Sequence, residues 1–217
     1  MLKKLISNSQ TGFMKGRCIG ECTRLILDII ERTEEEQIPG LLLLADFEKV
    51  FDSLERDFMF KCLDFVGFGE SIIKWVKPFY TDISSCIVNN GHCSEFSTLG
   101  RGVQHWDPIF PYLFISCLEF LSAALQNHPD IQGIQINNSE YLISQYADDP
   151  TIILEDDEAS LNVTLELLYY FSDYSGLRAN FDKTKAIWII AKRGCVETIK
   201  TKKIWHGMLM ENSKLWE

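Results

Sequence analysis

The chain has 217 residues, of which 46% are hydrophobic and 24% are charged. This composition is sufficient for a packed core and excludes a wholly disordered chain. No apolar run approaches the roughly 20 residues of a membrane span, so the sequence predicts no membrane association. The formal net charge of −10 argues against a general nucleic-acid coat, because such a protein neutralises phosphates with many positive charges.

The seven cysteines are an odd number and include no Cys-x-x-Cys pair. They lie inside apolar runs or near turns, which is typical of reduced structural thiols. Residues 1–20 lack the uninterrupted apolar segment of a secretory signal. We therefore expect an intracellular protein, in the nucleus or the cytoplasm.

Hydrophobic periodicity in the first half of the chain predicts helices around one buried strand. Residues 41–45 form a continuous apolar run after Pro39 and Gly40, and this run is too short for most helices. Asn90-Gly91 is a favoured two-residue turn. After a loop at residues 9–17, the expected elements are a helix over 19–33, the strand over 41–45, helices over 58–66 and 72–80, and a hairpin over 86–99.

The second half predicts a further hairpin between two long helices. Short apolar runs at residues 142–146 and 151–154 flank residues 147–149 and would place two acids at the tip of a tight turn. Aspartate is a common turn former, so this pair alone would be explained by an ordinary hairpin. Asp157 can cap a helix that runs to Tyr174, with Gly176 as its stop. The remaining expected elements are a helix over 112–125 and strands over 131–136 and 186–190.

Acids therefore stand at the ends of two predicted strands, Asp46 on the first and Asp148 with Asp149 on the second. A carboxylate at the end of a buried strand is costly unless it is paired or bound to a metal. Clustered carboxylates also raise one another's pKa unless a cation keeps them ionised. Oxygen ligands without nearby His or Cys favour Mg²⁺ or Mn²⁺ over zinc, and two such ions support in-line phosphoryl transfer. An acid-edged α/β domain without a metal explains the spacing equally well.

Five short motifs resemble those of the reverse transcriptase domain of LINE-type (non-long-terminal-repeat) retrotransposons, over roughly residues 8–192. Each string is weak alone, but five in the right order are very specific. The motifs are Gln-Thr-Gly-Phe and Gly-Arg within residues 10–17, Asp-Phe-Glu-Lys-Val-Phe-Asp-Ser at 46–53, Arg-Gly-Val, Asp-Pro and Pro-Tyr-Leu-Phe within 101–114, Tyr-Ala-Asp-Asp at 146–149, and Ser-Gly-Leu, Asn and Lys-Thr within 175–184.

The resemblance implies an α/β (α+β) fold, a polymerase palm with partial fingers over residues 1–193. This palm would be a mixed, antiparallel-rich sheet backed by helices, and residues 194–217 would be a divergent tail without assigned structure. The implied activity is RNA-directed DNA synthesis by two-metal nucleotidyl transfer. It would use two Mg²⁺ ions, with Mn²⁺ as the alternative, deoxynucleotide triphosphates, and an RNA or DNA template with a primer. Protein partners stay unknown.

The resemblance also implies metal ligands. Asp46 and Asp148 would bind the metal ions, and Asp149 beside them would chelate or shape the site. The carbonyl of Phe47 would be a further metal contact. Catalysis would thus depend on acids from two separate strands.

Other implied roles concern the nucleotide. Phe51 matches the position that walls off a ribose 2′-hydroxyl, and an ordinary core phenylalanine is the alternative. Lys183 corresponds to the lysine thought to protonate the leaving pyrophosphate, and a surface lysine is the alternative. The implied nucleotide-binding residues are Phe47, Phe51, His105 and Trp106.

The nucleotide-binding motif departs from the family pattern. Gln104, His105 and Trp106 stand where the family has Arg, Gln and Gly, and Phe110 replaces a Ser. The indole of Trp106 would overpack a pocket where backbone normally approaches the nucleotide. Pro150 removes one N–H from the ladder of the acid hairpin.

The family's triphosphate-gripping upstream segments and its thumb also have no expected counterpart. These departures predict impaired polymerisation. Two alternatives remain open: a catalytically inert retrotransposon remnant, and a non-catalytic nucleic-acid-binding module.

Overall fold

A computed structural model describes residues 4–102, 108–190 and 196–198 of the chain. A 3₁₀ turn over Lys77–Tyr80 follows the fourth helix. In chain order the elements are α1 (Ile19–Glu36), β1 (Gly40–Leu44), α2 (Val50–Ser53), α3 (Arg56–Val66), α4 (Glu70–Val76), β2 (Ser84–Ser85), β3 (Val88–Asn89), β4 (His92–Cys93), β5 (Ser97–Thr98), α5 (Phe110–Gln126), β6 (Ile134–Ile136), β7 (Ser139–Tyr141), β8 (Ile143–Tyr146), β9 (Asp149–Glu155), α6 (Glu158–Ser175), β10 (Lys185–Ile189) and β11 (Val196–Thr198).

The main sheet has the strand order β11-β10-β1-β9-β8, and each neighbouring pair is antiparallel. Strand β1 lies at its centre, where Leu41 and Leu43 are completely buried. The apolar run therefore forms the buried central strand that it predicts. Strand β11 lies within the segment for which the sequence predicts no element, while residues 194, 195 and 199–217 lie outside the described residues.

Side chains of β1 alternate between two apolar layers, as the two-residue repeat of a strand requires. Leu41 and Leu43 belong to a large core that includes residues of α3, α5 and α6. Leu42 belongs to a smaller core on the opposite face, where it joins Ile29 of α1. Helices therefore cover both faces of the sheet, so a site open to substrates must lie at the ends of the strands.

Helix α6 begins and ends where its sequence predicts. The carboxylate of Asp157 accepts hydrogen bonds from the N–H groups of Ala159 and Ser160, both at 3.1 Å. Gly176 ends the helix with a φ of 74°, a left-handed conformation that glycine adopts at little cost. The predicted cap and stop are both confirmed.

Two smaller hairpins differ in how closely they match their predictions. Strands β3 and β4 are joined by Asn90-Gly91 with φ values of 49° and 79°, consistent with a type I′ turn. The strand predicted over 131–136 spans only Ile134–Ile136, and Asn137-Asn138 leads first into β7, not directly into the acid hairpin.

No helix in the described part of the chain is long and apolar enough to cross a bilayer.

Candidate active site

The register of the main sheet brings the acids of two strands to one end of the sheet. In the antiparallel pair β1–β9, Leu44 lies opposite Thr151. One residue further, the N–H of Ala45 donates to the carbonyl of Pro150 at 3.1 Å. Asp46 therefore leaves β1 at the same end of the sheet at which Asp149 enters β9.

The hairpin between β8 and β9 is the tight turn that the sequence predicts. Tyr146 pairs with Asp149, so Ala147 and Asp148 form a two-residue loop. Ala147 is buried and has a φ of 53°, and a positive φ at the first loop position is typical of a type II′ turn. Asp148 is half-buried and Asp149 is exposed.

Pro150 affects β1 instead of the hairpin partner β8. Its carbonyl accepts from the N–H of Ala45, the residue directly after β1, and in an antiparallel strand the N–H and C=O of one residue point to the same neighbour. The N–H that proline lacks would therefore face β1. The expected loss from the β8–β9 ladder is wrong for this reason, and the bonding capacity is lost beside the residue that precedes Asp46.

The segment after β1 is held by a loop formed by residues 178–184. The N–H of Asn180 donates to the carbonyl of Asp46 at 2.7 Å, and the N–H of Glu48 donates to the carbonyl of Arg178 at 2.8 Å. The N–H of Asp46 donates to the hydroxyl of Thr184 at 3.3 Å. Asp46 is thus fixed through its backbone, and these bonds do not use its carboxylate.

The side chain of Phe47 packs into the core, and its backbone continues in the direction of β1. Its side chain is buried, with its ring centroid 6.1 Å from that of Phe171. It forms an isolated antiparallel bridge with Ala179, in which the flanking residues, not Phe47, make the hydrogen bonds. Because backbone polar groups alternate along an extended segment, the carbonyl of Phe47 faces the same side as that of Ala45, toward the acid hairpin.

Lys183 lies beside the first acid. Its Nζ is 3.8 Å from Oδ2 of Asp46, and the side chains are 71% and 34% exposed. An ion pair at this distance and exposure contributes little to stability. The contact places a cationic donor at the acid end of the sheet.

The three acids are close enough to influence one another's ionisation. Partial desolvation, followed by the charges of Asp148 and Asp46, raises the pKa of Asp149 above its ordinary value. A cation bound among these acids would counteract the part of the raised pKa that arises from the negative charges of Asp148 and Asp46. Among the described residues, no three His, Cys, Asp or Glu side chains already form a metal-binding group, although the carboxylate donor set suits a hard divalent cation.

An N-terminal loop, residues 9–12, lies against the acid hairpin. The N–H of Gln145 on β8 donates to Ser9 at 2.8 Å, and the N–H of Thr11 donates to the carbonyl of Gln145 at 2.9 Å. Gln10 is completely buried and hydrogen-bonded to Ala147. The sequence assigns this loop to the fingers by resemblance but predicts no contact with the acid turn, because a buried glutamine leaves no periodic signal.

The predicted nucleotide side of the site is described only in part. Phe51 is half-buried in α2, and its ring centroid lies 4.8 Å from that of Phe110. Of the Arg-Gly-Val string that opens the nucleotide motif, Arg101 and Gly102 are described, and the N–H of Gly102 donates to the carbonyl of Leu54 at 2.9 Å. His105 and Trp106 lie outside the described residues.

The chain matches the family model described as "Reverse transcriptase (RNA-dependent DNA polymerase)" over residues 1–206. It is 29% identical over 180 residues to the "Retrovirus-related Pol polyprotein from type-1 retrotransposable element R2" of Popillia japonica, covering 81% of this chain and 25% of that protein. It is 26% identical over 182 residues to the corresponding type-2 polyprotein of Drosophila melanogaster, covering 83% of this chain and 17% of that protein. The chain therefore spans a quarter or less of these relatives.

Two solved structures share the fold. The telomerase of Candida tropicalis, in complex with the TWJ fragment of telomeric RNA, superposes with a TM-score of 0.66 at 11% identity, covering 93% of this chain and 36% of that chain. The Candida albicans counterpart gives a TM-score of 0.61 at 14% identity, covering 86% and 32%. These likenesses, together with the family match, confirm the predicted α/β polymerase fold.

Proposed function

The chain belongs to the reverse transcriptase (RNA-dependent DNA polymerase) family, and on that premise we propose that its acid-bearing sheet end is the catalytic centre of a template-directed DNA polymerase. It is a partial reverse transcriptase domain of the non-long-terminal-repeat retrotransposon type. The observation that carries the proposal is the β1–β9 register, because it brings acids from two distant motifs to one end of the sheet. Adjacent carboxylates without a counter-charge would repel one another, so the arrangement favours a cation.

Reverse transcriptases generally depend on divalent metal ions. In this chain the carboxylates of Asp46 and Asp148 would hold two Mg²⁺ or Mn²⁺ ions, with Asp149 beside them and the carbonyl of Phe47 as a further ligand. Such ions, when bound, neutralise charge on the reacting phosphates and activate the attacking hydroxyl. The orientation of the Phe47 carbonyl and the raised pKa of Asp149 support this assignment.

Two side chains of the site would act on the nucleotide itself. Lys183 would protonate the leaving pyrophosphate from its Nζ, and its position beside Asp46 supports this role. The ring of Phe51 would exclude a ribose 2′-hydroxyl, and its packing on Phe110 supports a fixed ring position. The substrates bound at the site would be a primed RNA or DNA template and a deoxynucleotide triphosphate.

We also propose that polymerisation by this chain is weak. Phosphoryl transfer depends on holding the nucleotide in line with the primer. His105 and Trp106 replace the Gln and Gly that the family places against the nucleotide, and a bulky indole in that position would displace the incoming base. The acids would then retain metal binding while turnover falls.

Manganese binding and primer extension test both parts of the proposal. The wild-type chain should bind Mn²⁺, as followed by electron paramagnetic resonance, and Asp148→Ala should weaken that binding more than about tenfold, a loss seen even for groups that only support a ligand. Asp130→Ala, which changes an exposed acid elsewhere, should match the wild type. Extension of an RNA- or DNA-templated primer with Mg²⁺ should be weak, and Phe51→Ala should raise the share of ribonucleotides in any product.

The outcomes separate the two parts. Mn²⁺ binding that is unaffected by Asp148→Ala would contradict the metal assignment. Rapid extension that Asp148→Ala abolishes would support the polymerase assignment and overturn the proposed impairment. Equal ribonucleotide incorporation by the wild type and Phe51→Ala would reduce Phe51 to a core residue.

A further inference from the structure

One buried amide contacts the turn that carries Asp148. The side chain of Gln10 is 0% exposed. Its Oε1 accepts a hydrogen bond from the N–H of Ala147 at 3.0 Å, and its Nε2 donates to the carbonyl of Ala147 at 3.3 Å. A single side chain, 137 residues distant in sequence, therefore engages both backbone polar groups of the residue that precedes Asp148.

Ala147 is the residue of the turn that most requires support. Its φ of 53° lies in the left-handed region, which is sterically unfavourable for a residue with a Cβ. Its buried N–H and C=O would be costly if left without partners. Because the bonds to Gln10 satisfy both groups in this conformation, they favour the turn over an extended backbone that would redirect Asp148.

The amide of Gln10 is itself held in place. Its Oε1 also accepts from the N–H of Gly12 at 2.8 Å. The guanidinium of Arg17 donates to the carbonyl of Gln10, to that of Ser7 at 2.6 Å, and to Oδ1 of Asn8 at 2.9 Å. The side chain therefore has a defined orientation from which it can impose one on Ala147.

We propose that Gln10 is a positioning residue that fixes the Ala147–Asp148 turn and thereby the placement of Asp148 and Asp149 relative to Asp46. We assign Gln10 no role as a ligand of metal or nucleotide, because its side-chain amide bonds to Ala147 and Gly12. Its effect on metal binding rests on the proposed function, whereas its hold on the turn does not. Residues that support metal ligands in this way strongly influence affinity, because they set the geometry in which the ligands meet the ion.

Two substitutions of Gln10 in the full chain test this role. Gln10→Met keeps the length of the side chain but removes both the acceptor and the donor. Gln10→Asn keeps the amide but retracts it by one methylene, and it serves if the methionine variant does not fold. Gln135→Met, an exposed change on β6, is the matched control.

The first readout is amide hydrogen exchange and needs no metal. Exchange at Ala147 should accelerate in both Gln10 variants, while exchange at Ile153, whose N–H donates to Leu142 at 2.8 Å, should remain close to the wild type. A residue that only contributed to overall stability would accelerate both amides together. Gln135→Met should change neither.

The second readout is the Mn²⁺ dissociation constant, which should rise about 10–100-fold in the Gln10 variants and stay unchanged in Gln135→Met. Unchanged exchange at Ala147, or equal acceleration at Ala147 and Ile153, would overturn the positioning role. Loosened exchange at Ala147 with unchanged Mn²⁺ affinity would overturn the link to the acids. If the wild type itself bound no Mn²⁺, the metal assignment would fail, and exchange at Ala147 would still decide whether Gln10 holds the turn.

Discussion

Two loops hold the two acid-bearing strand ends, the N-terminal loop of residues 9–12 on one side and the loop of residues 178–184 on the other. The N-terminal loop bonds to Gln145 of β8 through its backbone, but it reaches the Asp148 turn itself through a side chain, the amide of Gln10. The second loop supports Asp46 mainly through backbone hydrogen bonds, with Thr184 as its one side-chain contact to the backbone of Asp46 among those described. Similar tasks are thus performed by different kinds of contact.

This difference determines how each strand end should respond to mutation. Backbone hydrogen bonds survive most substitutions, so the surroundings of Asp46 should tolerate side-chain changes. The Asp148 turn depends on the identity of Gln10 and on the absence of a side chain at Gly12, where a Cβ would lie 2.1 Å from the nitrogen of Ala147. The turn should therefore be the more fragile half of the site.

The largest expected effect comes from Gly12→Ala. The added methyl group would meet the backbone of Ala147, which cannot rotate away as a flexible side chain would. Overpacking of this kind costs about 1–3 kcal/mol, and we expect that loss in the free energy of unfolding measured with urea. Gly20→Ala is the control, because Gly20 lies in helix α1 and a Cβ there would meet only Sγ of the described Cys18, at 3.6 Å. This change should be neutral or slightly stabilising. Equal effects of the two changes would contradict a tight contact at Gly12.

A smaller effect is expected at the second loop from Thr184→Val. Thr184 is completely buried, and its hydroxyl accepts from the N–H of Asp46 and donates to the carbonyl of Asn180 at 2.8 Å. Losing these bonds should destabilise the chain by about 1 kcal/mol, since the backbone bonds around Asp46 remain.

Thr164→Val is the matched control for the second loop. Thr164 is equally buried, but among the described residues its hydroxyl bonds only to the carbonyl of Ser160 in its own helix. Urea unfolding should show a smaller loss for this variant than for Thr184→Val. A Thr184→Val loss greater than that of Gly12→Ala would reverse the proposed order of fragility.

The smallest expected effect is a pH dependence that arises at Glu119 of α5, close to the N-terminal segment. Burial raises the pKa of Glu119 above its ordinary value of 4.5, while hydrogen bonds from Ser7 and the charge of Arg17 partly oppose the shift. A carboxyl with a raised folded-state pKa contributes stability that is present below its unfolded pKa and is lost as the pH rises through the folded value. Glu119→Gln stays neutral, so it should gain stability relative to the wild type between about pH 4 and about pH 8. The same difference in the free energy of unfolding between Glu119→Gln and the wild type at both pH values would contradict a contribution from the raised pKa of Glu119.

Local signals in the sequence account for most of the elements. The apolar run of β1, the Asp157 cap and the Asn90-Gly91 turn each act over a few residues, so composition and periodicity are enough to predict them. The two acid-bearing strand ends are also visible, because a charged residue after an apolar run is conspicuous. Their meeting at one end of the sheet depends on register, which the motif resemblance implies and periodicity does not.

The contacts that hold the acids could not be predicted from the sequence. Gln10 and Ala147 are far apart along the chain, and neither residue type has a preference that points to the other. The insertion of β7 before the acid hairpin was missed because Asn137-Asn138 reads equally well as a connection to either partner. Such contacts follow from how three-dimensional packing satisfies buried polar groups.

Among the strands of the described residues, β8 is the outermost on its side of the main sheet. The N-terminal loop covers the edge of β8 that faces away from β9. It does so through the bridge between Gln10 and Gln145 and through the bond from the N–H of Gln145 to the carbonyl of Ser9. Uncovered edge strands present unpaired N–H and C=O groups that recruit strands of other molecules. A chain lacking residues 1–12 should therefore self-associate, which analytical ultracentrifugation would detect as species heavier than the full chain. The loop that supports the acids thus also guards against aggregation.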